Sequence, residues 1–507
     1  MPPTRSGCVT CRIRKVKCDE GKPKCHRCTA TGRTCDGYTT IPLTRGDLRM
    51  ALDTLQHPHF PSALPCVLTD PAFQCVLDKR FFQFFRQCTI ASTKQTIPSA
   101  FWDSLVLQAC HTHPTVKHAV LAIGAYHDSL IHHKDKAAAQ HLRLYADRHY
   151  QRALVEARNV ISDTGSSPEV HSLLLACHIF TLYEGMRGNY SASATHMANG
   201  RKIIAQYRPR KRITAGSTAL DEIATAFARL DLVSLTFSDV TAPYQYTLRD
   251  LLNTAPELHS QSYSSVQQAH AALVDLIRLT FMLHEHIYVH GDSDIRAENE
   301  CRRQLLACRQ RLIKWKQHWH KLLTALPKPP PESQTKTIEC WYLAASVDAD
   351  ANFPTLVQSE YDCVMPHFAR IVSLLEDVST SIRDSSASAP PSVSFTLDLG
   401  FIVPAFFTAI RCRDPGLRRR AIAVLESMPR REGLWESTFA AAIAKKWMQL
   451  EEEGLERVAC SADVPESRRF AQLEPWIDVE NLSARLLFIS TERKVVCTID
   501  SSDITRE

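Results

Sequence analysis

Six cysteines crowd into 28 residues near the start of the chain: Cys8, Cys11, Cys18, Cys25, Cys28 and Cys35. Their spacing is C-x2-C-x6-C-x6-C-x2-C-x6-C, so the second triple repeats the gaps of the first. A C-x2-C pair lets two sulfurs on one short helical turn grip the same ion, and each x6 gap lets a loop return a third ligand. Three thiolates per half fall one short of a closed tetrahedral zinc site. Two metals side by side, bridged by two shared sulfurs, remove the deficit, because six thiolates then fill eight coordination places. So short a stretch cannot bury a core of its own. Metal binding would have to supply its folding energy, about 10 kcal/mol or more.

Other chemistries fit less well. The chain opens MPPTRSG, with no apolar signal segment to direct it to a disulfide-forming compartment. RING and LIM modules would bring in histidine and longer gaps, and His26 falls outside any ligand spacing. An iron–sulfur site would want tighter C-x2-C-x2-C runs. Zinc is the metal expected of closed thiolate tetrahedra.

Charge points to what such a knot would hold. Residues 1–35 contain nine lysines or arginines and two acids (Asp19, Glu20), a net of +7, while the whole chain carries +6. Positive charge gathered beside a metal knot is the footprint of a phosphate binder. Between Cys11 and Cys18 run Arg12, Ile13, Arg14, Lys15, Val16 and Lys17. A short helix opening at Cys11 would carry these into a major groove, where Lys or Arg reads guanine O6 and N7.

Cys8 to Cys35, with Lys22-Pro23-Lys24-Cys25 in the middle, resembles the binuclear zinc cluster of fungal transcription factors in every cysteine gap. The resemblance implies two Zn(2+) ions bridged by Cys8 and Cys25, with Cys11 and Cys18 completing one site and Cys28 and Cys35 the other. It implies that Lys15 makes the main base contacts to a CGG triplet, assisted by Arg14. Arg12, Lys17 and Arg27 are expected on phosphates, where they position without specifying.

The other 472 residues sum to about −1 and have an ordinary soluble composition, 44% hydrophobic and 22% charged across the chain. No run is long enough to span a bilayer; the longest apolar stretch, Phe401 to Ile410, contains Pro404. Twelve further cysteines, from Cys66 to Cys497, show no repeating gap and read as reduced thiols in a core. After the cluster (1–38) comes a linker (39–70) broken by Pro42, Pro58, Pro61 and Pro65. Leu48, Leu52 and Leu55 offer at most two helical turns there, too few for a zipper. A homodimer, if formed, falls to the helical region.

From about residue 72 helical periodicity takes over. Helices are expected over 72–88, around Trp102 to Leu107, from Pro114 to Leu130, and over a long stretch marked by Leu142, Tyr145, His149, Ala153, Val160 and Ile161. Others contain Leu173 to Phe180, run from Tyr190 to Tyr207 after a Gly188-Asn189 turn, and include Leu312, Trp315, Trp319 and Leu322. The fold class expected is all-α: a small N-terminal cluster, a linker and a large multi-helix regulatory domain, bundle or solenoid-like. Its first part spans 71–325. Helices with Pro- and Ser-rich breaks (Leu326 to Pro331, Ser385 to Ser392) occupy 326–396, then C-terminal helices 397–455 and an acidic segment 456–507. Arg208 to Arg212 is a compact basic run, read as an exposed inter-helix loop, with a nuclear-import signal as the alternative.

Cys412-Arg-Asp-Pro-Gly-Leu-Arg-Arg-Arg420 and Arg430-Arg-Glu-Gly-Leu-Trp435 resemble a C-terminal signature of fungal zinc-cluster regulators, including those of secondary-metabolite gene clusters. There Leu417, Ala421, Val424, Leu425 and Met428 are expected to form a core stripe, with the arginines on the opposite face, read as solvated, with a basic nucleic-acid patch as the alternative. Residues 450–480 hold nine acids and three bases among Leu473, Trp476 and Ile477. They are expected to be a helix end and loop, or an activation surface that folds on a coactivator. No glycine-rich phosphate loop, G-x-S-x-G or H-E-x-x-H is present, and His284, His286 and His290 lack a clearly placed carboxylate.

These readings converge on a nuclear, zinc-dependent, sequence-specific DNA-binding regulator of RNA polymerase II transcription, and not an enzyme. The partners expected are double-stranded DNA, coactivators or corepressors, a small-molecule effector and a second copy, with no membrane. The rivals are a zinc-knot protein-interaction scaffold and an α-helical enzyme carrying a regulatory zinc module.

Overall fold

Several helices begin or end at the punctuation in the sequence, whereas the one expected over 72–88 spans 76–93. The computed structural model describes residues 11, 16–21, 24–31, 73, 75–93, 100–132, 135–162, 170–207, 219–236, 262–290, 295–350, 357–386, 394–478, 483–500 and 503. The chain divides into two compact units, Met1–Leu68 and Thr69–Glu507. In the first, the described helix is α1 (His26–Thr29). The linker, the short leucine repeat within it and the Arg208–Arg212 run lie outside the described residues.

The second unit opens with α2 (Val76–Phe84), which passes through a π turn at Phe85–Thr89 into a last turn at Ile90–Thr93. A second π turn, Phe101–Val106, leads into α3 (Leu107–Thr112). Pro114 occupies the first turn of α4 (Pro114–Ile131), where its missing N–H costs nothing. α4 is buried on every side from Thr115 to Ser129 except at Lys117, so it is the axis of this half and not a surface helix with one apolar stripe.

α5 (Lys136–Ser162) packs along α4 through Leu142, Tyr145, Ala146, His149 and Ala153. With 27 residues against 18, α5 outruns its support, leaving Ile161 66% exposed although its spacing assigns it to the buried stripe. α6 (Val170–Met186) is again buried nearly all round. Gly188, at φ +78°, supplies the left-handed residue that reverses the chain into α7 (Tyr190–Tyr207).

α8 (Ala219–Thr236), α9 (Val266–His290), α10 (Ile295–Ala325), α11 (Glu332–Asp350) and α12 (Met365–Ser386) continue the helical stack. The break at residues 326–331 separates α10 from α11 as expected. Trp315 and Trp319 of α10 stack with ring centroids 5.6 Å apart, and the Trp315 indole donates to the Ala269 carbonyl at 2.7 Å. One apolar core runs continuously from Leu232 to Ile499, across the proline- and serine-rich breaks.

The last third departs from a purely helical layout. α13 (Ile402–Arg411), α14 (Pro415–Ser427) and α15 (Ser437–Glu452) surround a small sheet. In it β1 (Ser394–Thr396) runs parallel to β2 (Arg430–Glu432), which pairs antiparallel with β3 (Trp435–Glu436). Glu432 caps α13 by accepting from the backbone N–H groups of Phe401 (3.1 Å) and Ile402 (2.9 Å). A Cβ at position 400 would lie 2.0 Å from Glu432 Oε1, so any residue larger than glycine there would displace the carboxylate from its cap. The Arg430-to-Trp435 signature is therefore a hairpin that seats a helix N-terminus.

The arginines of the first signature divide between core and solvent. Arg413 and Arg418 are buried, as is the preceding Arg411, while Arg419 and Arg420 reach solvent as expected. Arg413 meets Glu451 at 2.8 Å and Arg418 meets it at 2.7 Å, all three side chains fully enclosed. The carbonyls of Arg411, Phe470 and Ala471 and the Trp447 indole complete the network. Burial alone would raise the Glu451 pKa, but the two guanidiniums bring it down to about 2. The stripe itself forms as expected, with Leu417 half-buried at its edge.

The acidic segment is folded as well. β4 (Gln472–Asp478), β5 (Ser483–Ile489) and β6 (Lys494–Ile499) form an antiparallel meander. Leu473, Ala484, Leu486, Phe488 and Ile499 join the common core. Glu466 accepts from the N–H groups of Gln358 (2.7 Å) and Ser359 (2.8 Å), so part of the acidity is committed to capping. The described cysteines form no disulfide with one another, and Cys110, Cys301, Cys308, Cys340 and Cys412 fill the interior as expected. Among the described residues no helix is long and apolar enough to cross a membrane.

Candidate metal centre and nucleic-acid interface

Four of the six cysteines lie among the described residues, and all four are buried: Cys11, Cys18, Cys25 and Cys28. Cys8 and Cys35 lie outside them, as do Arg12, Arg14 and Lys15. Cys25 is the N-cap of α1, and its sulfur accepts the Cys28 N–H at 3.3 Å. The Glu20 N–H lies 3.4 Å from the Cys18 sulfur. Both contacts turn the positive end of a peptide dipole toward a sulfur, complementing the negative charge of a metal-bound thiolate.

The Cys11 sulfur is 3.8 Å from that of Cys25 and 3.7 Å from that of Cys28. These distances are far too long for disulfides, whose sulfurs lie about 2.05 Å apart. They match the edge of a tetrahedron built on zinc–sulfur bonds of about 2.3 Å, which is about 3.8 Å. Cys11, Cys25 and Cys28 form one metal-capable group, and Cys18, Asp19 and Cys25 a second. The donor set therefore fits zinc, and Cys25 is the residue common to both groups. Cys11 and Cys28 fall in one group, whereas the family resemblance divides them between the two metals.

Asp19 is a structural residue that no sequence motif marks. Its carboxylate accepts from the His26 and Arg27 N–H groups, both at 2.9 Å, and so closes the N-terminus of α1 from seven or eight residues upstream. The Arg27 N–H is the largest influence holding its pKa below the usual carboxylate value. With both oxygens engaged on the helix end, Asp19 fixes the approach of Cys18 to Cys25. Its separation from α1 hides it from a search for caps adjacent to the helix. Lys17, Lys24, His26 and Arg27 are exposed around the buried sulfurs, placing cationic ends outside a sulfur interior.

Elsewhere, His284 is buried in α9 with its Nδ1 3.2 Å from Asp348 Oδ2. This pair ties α9 to α11, and Asp348 is a carboxylate partner that sequence spacing does not reveal.

An amino-terminal sulfur knot with a cationic exterior, followed by a large helical unit, defines a zinc-cluster regulator of transcription. The profile described as the fungal specific transcription factor domain matches residues 80–479, and that of the fungal Zn(2)-Cys(6) binuclear cluster domain matches residues 6–45. The chain belongs to the fungal-specific transcription factor family, whose members with this cluster bind zinc and DNA. It is 28% identical over 250 residues to the aspercryptin biosynthesis cluster-specific transcription regulator atnN of Emericella nidulans, covering 45% of this chain and 39% of that protein. Over 211 residues it is 34% identical to the transcription regulator lscL of Purpureocillium lilacinum, covering 39% of this chain and 48% of the relative. The matched region thus spans less than half the length of either relative. White-opaque regulator 2 of Candida albicans is 54% identical over 38 residues, 8% of each chain. No solved structure matches the chain.

Proposed function

We propose that this protein is a nuclear transcription regulator that reads CGG-containing promoter sites through a cluster of two zinc ions. Cys8, Cys11, Cys18, Cys25, Cys28 and Cys35 hold the metals, and Cys8 and Cys25 are the bridging ligands. Zinc supplies charge neutralisation and rigidity to a segment too short to form a core. Lys15 reads guanine with Arg14 beside it, and Arg12, Lys17 and Arg27 contact phosphates. The helical unit transmits to RNA polymerase II through coactivators or corepressors, responds to a small effector and provides any homodimer contact. The named function of the Emericella relative supports a secondary-metabolite gene cluster as the target.

The observation that carries this reading is the convergence of Cys11, Cys25 and Cys28 at tetrahedral-edge distances beneath exposed Lys17, Lys24 and Arg27. Native mass spectrometry of the zinc-loaded chain should give two zinc ions per protein, and a gel shift should show retention of a CGG duplex that chelation abolishes. A stoichiometry of one, or DNA retention indifferent to chelator, would exclude the proposal. If about four to six phosphates are contacted, the log–log salt slope should lie between about −3.6 and −5.4.

A further inference from the structure

Positive charge is concentrated in a second place besides the cluster. α10 carries eight lysines and arginines against two glutamates, a net of +6, in a chain whose total is +6. With +7 in residues 1–35, the remainder of the protein sums to −7.

α10 is strongly two-faced. Cys301, Cys308, Leu312, Trp315, Trp319 and Leu322 are buried on one side. On the other, Leu306 and Ile313 are 61% and 53% exposed. Seven residues apart, they stack on one face two turns from each other, about 10 Å along the axis. Exposed Gln310 lies between them.

The helical angle places Arg303, Lys314 and Lys321 along one edge of this stripe and Arg302 and Arg309 along the other, all exposed. Arg302 pairs with Glu298 at 2.7 Å, Arg303 with Glu300, and Arg309 with Asp350 at 2.6 Å. Such surface pairs are weak in water and exchange readily for a better-placed carboxylate.

Two large aliphatic side chains between basic rails specify a partner more narrowly than either feature alone. A second copy of the same face would set cation against cation. Duplex DNA would reward the rails but leave Leu306 and Ile313 without apolar cover. An acidic amphipathic helix satisfies both, laying its apolar stripe on the aliphatics while its carboxylates reach the rails. We propose that the outer face of α10 is a docking surface for an acidic amphipathic helix of a partner protein. This surface goes beyond the DNA-reading function and does not depend on it.

The test uses the full chain and a fluorescein-labelled synthetic peptide of about three heptads, with leucine on one stripe and glutamate elsewhere. Fluorescence anisotropy should show saturable binding that weakens as salt rises. The variant Leu306→Glu with Ile313→Glu, and separately Arg303→Glu with Lys314→Glu and Lys321→Glu, should each lose about tenfold or more. The peptide with lysine in place of glutamate should not bind. Unchanged circular dichroism and melting temperature would show both variants folded, as expected for exposed positions. Absence of binding by the wild-type chain, or wild-type binding by the Leu306/Ile313 variant, overturns the proposal. So does a phosphate surface, revealed if only the charge variant loses affinity, and loses it for non-specific duplex DNA as well as for the peptide.

Discussion

At the scale of single residues, two side chains carry the sharpest consequences. Lys15 is proposed to donate to guanine, so Lys15→Ala should cost about 1–3 kcal/mol on a CGG duplex and little on random DNA, measured by anisotropy on both. Equal losses on the two duplexes would reduce Lys15 to a phosphate anchor. Glu451 stands between two buried guanidiniums, those of Arg413 and Arg418. Glu451→Gln removes the charge that both share and leaves them enclosed without it. The expected cost is about 3–5 kcal/mol, seen as a lower midpoint in urea unfolding. A change below about 1 kcal/mol would mean that relaxation or water entry compensates the arginines. The Cys412-to-Arg420 signature is visible as a string, but its partner Glu451 lies 38 residues beyond Arg413. No local rule connects positions that far apart.

At the scale of elements, most helices are legible because their apolar residues recur with the helical period and their ends carry punctuation. Pro114 opens α4, Gly188 reverses the chain into α7, and the proline run after Ala325 ends α10. The meander was not legible. β5 alternates inward Ala484, Leu486 and Phe488 with outward residues, yet one of those outward residues is Leu487, and the apolar run masks the period of two. β4 is hidden by Pro475, which fits because β4 is an edge strand. Folding of this segment is testable. Phe488 is fully buried against Trp447 and Phe470, so Phe488→Ala should destabilise the large unit by about 3–5 kcal/mol. A melting temperature indistinguishable from wild type would show that β5 is only loosely attached.

At the scale of the whole molecule, acid should unfold the helical unit partly through one group. The folded pKa of Glu451, about 2, lies below its ordinary value of 4.5. Its contribution is therefore fully present above pH 4.5 and lost as pH falls toward 2, to a total of about 3 kcal/mol. A pH series of urea melts should lose this increment in wild type, and the loss should be smaller in Glu451→Gln; parallel curves would count against the linkage. The sequence by itself determined the six-cysteine spacing, the concentration of cations around it and the helical character of most of the remaining chain. Metal coordination demands short fixed gaps, and helix burial imposes a short fixed period, so both are written locally. Only the tertiary structure decided that Asp19 closes α1, that Arg413 and Arg418 of the first signature lie inside the core and that the last part of the acidic segment is a sheet. Those outcomes depend on which distant groups meet after the chain has collapsed, when a charge removed from water must find its counter-charge wherever the fold has placed it.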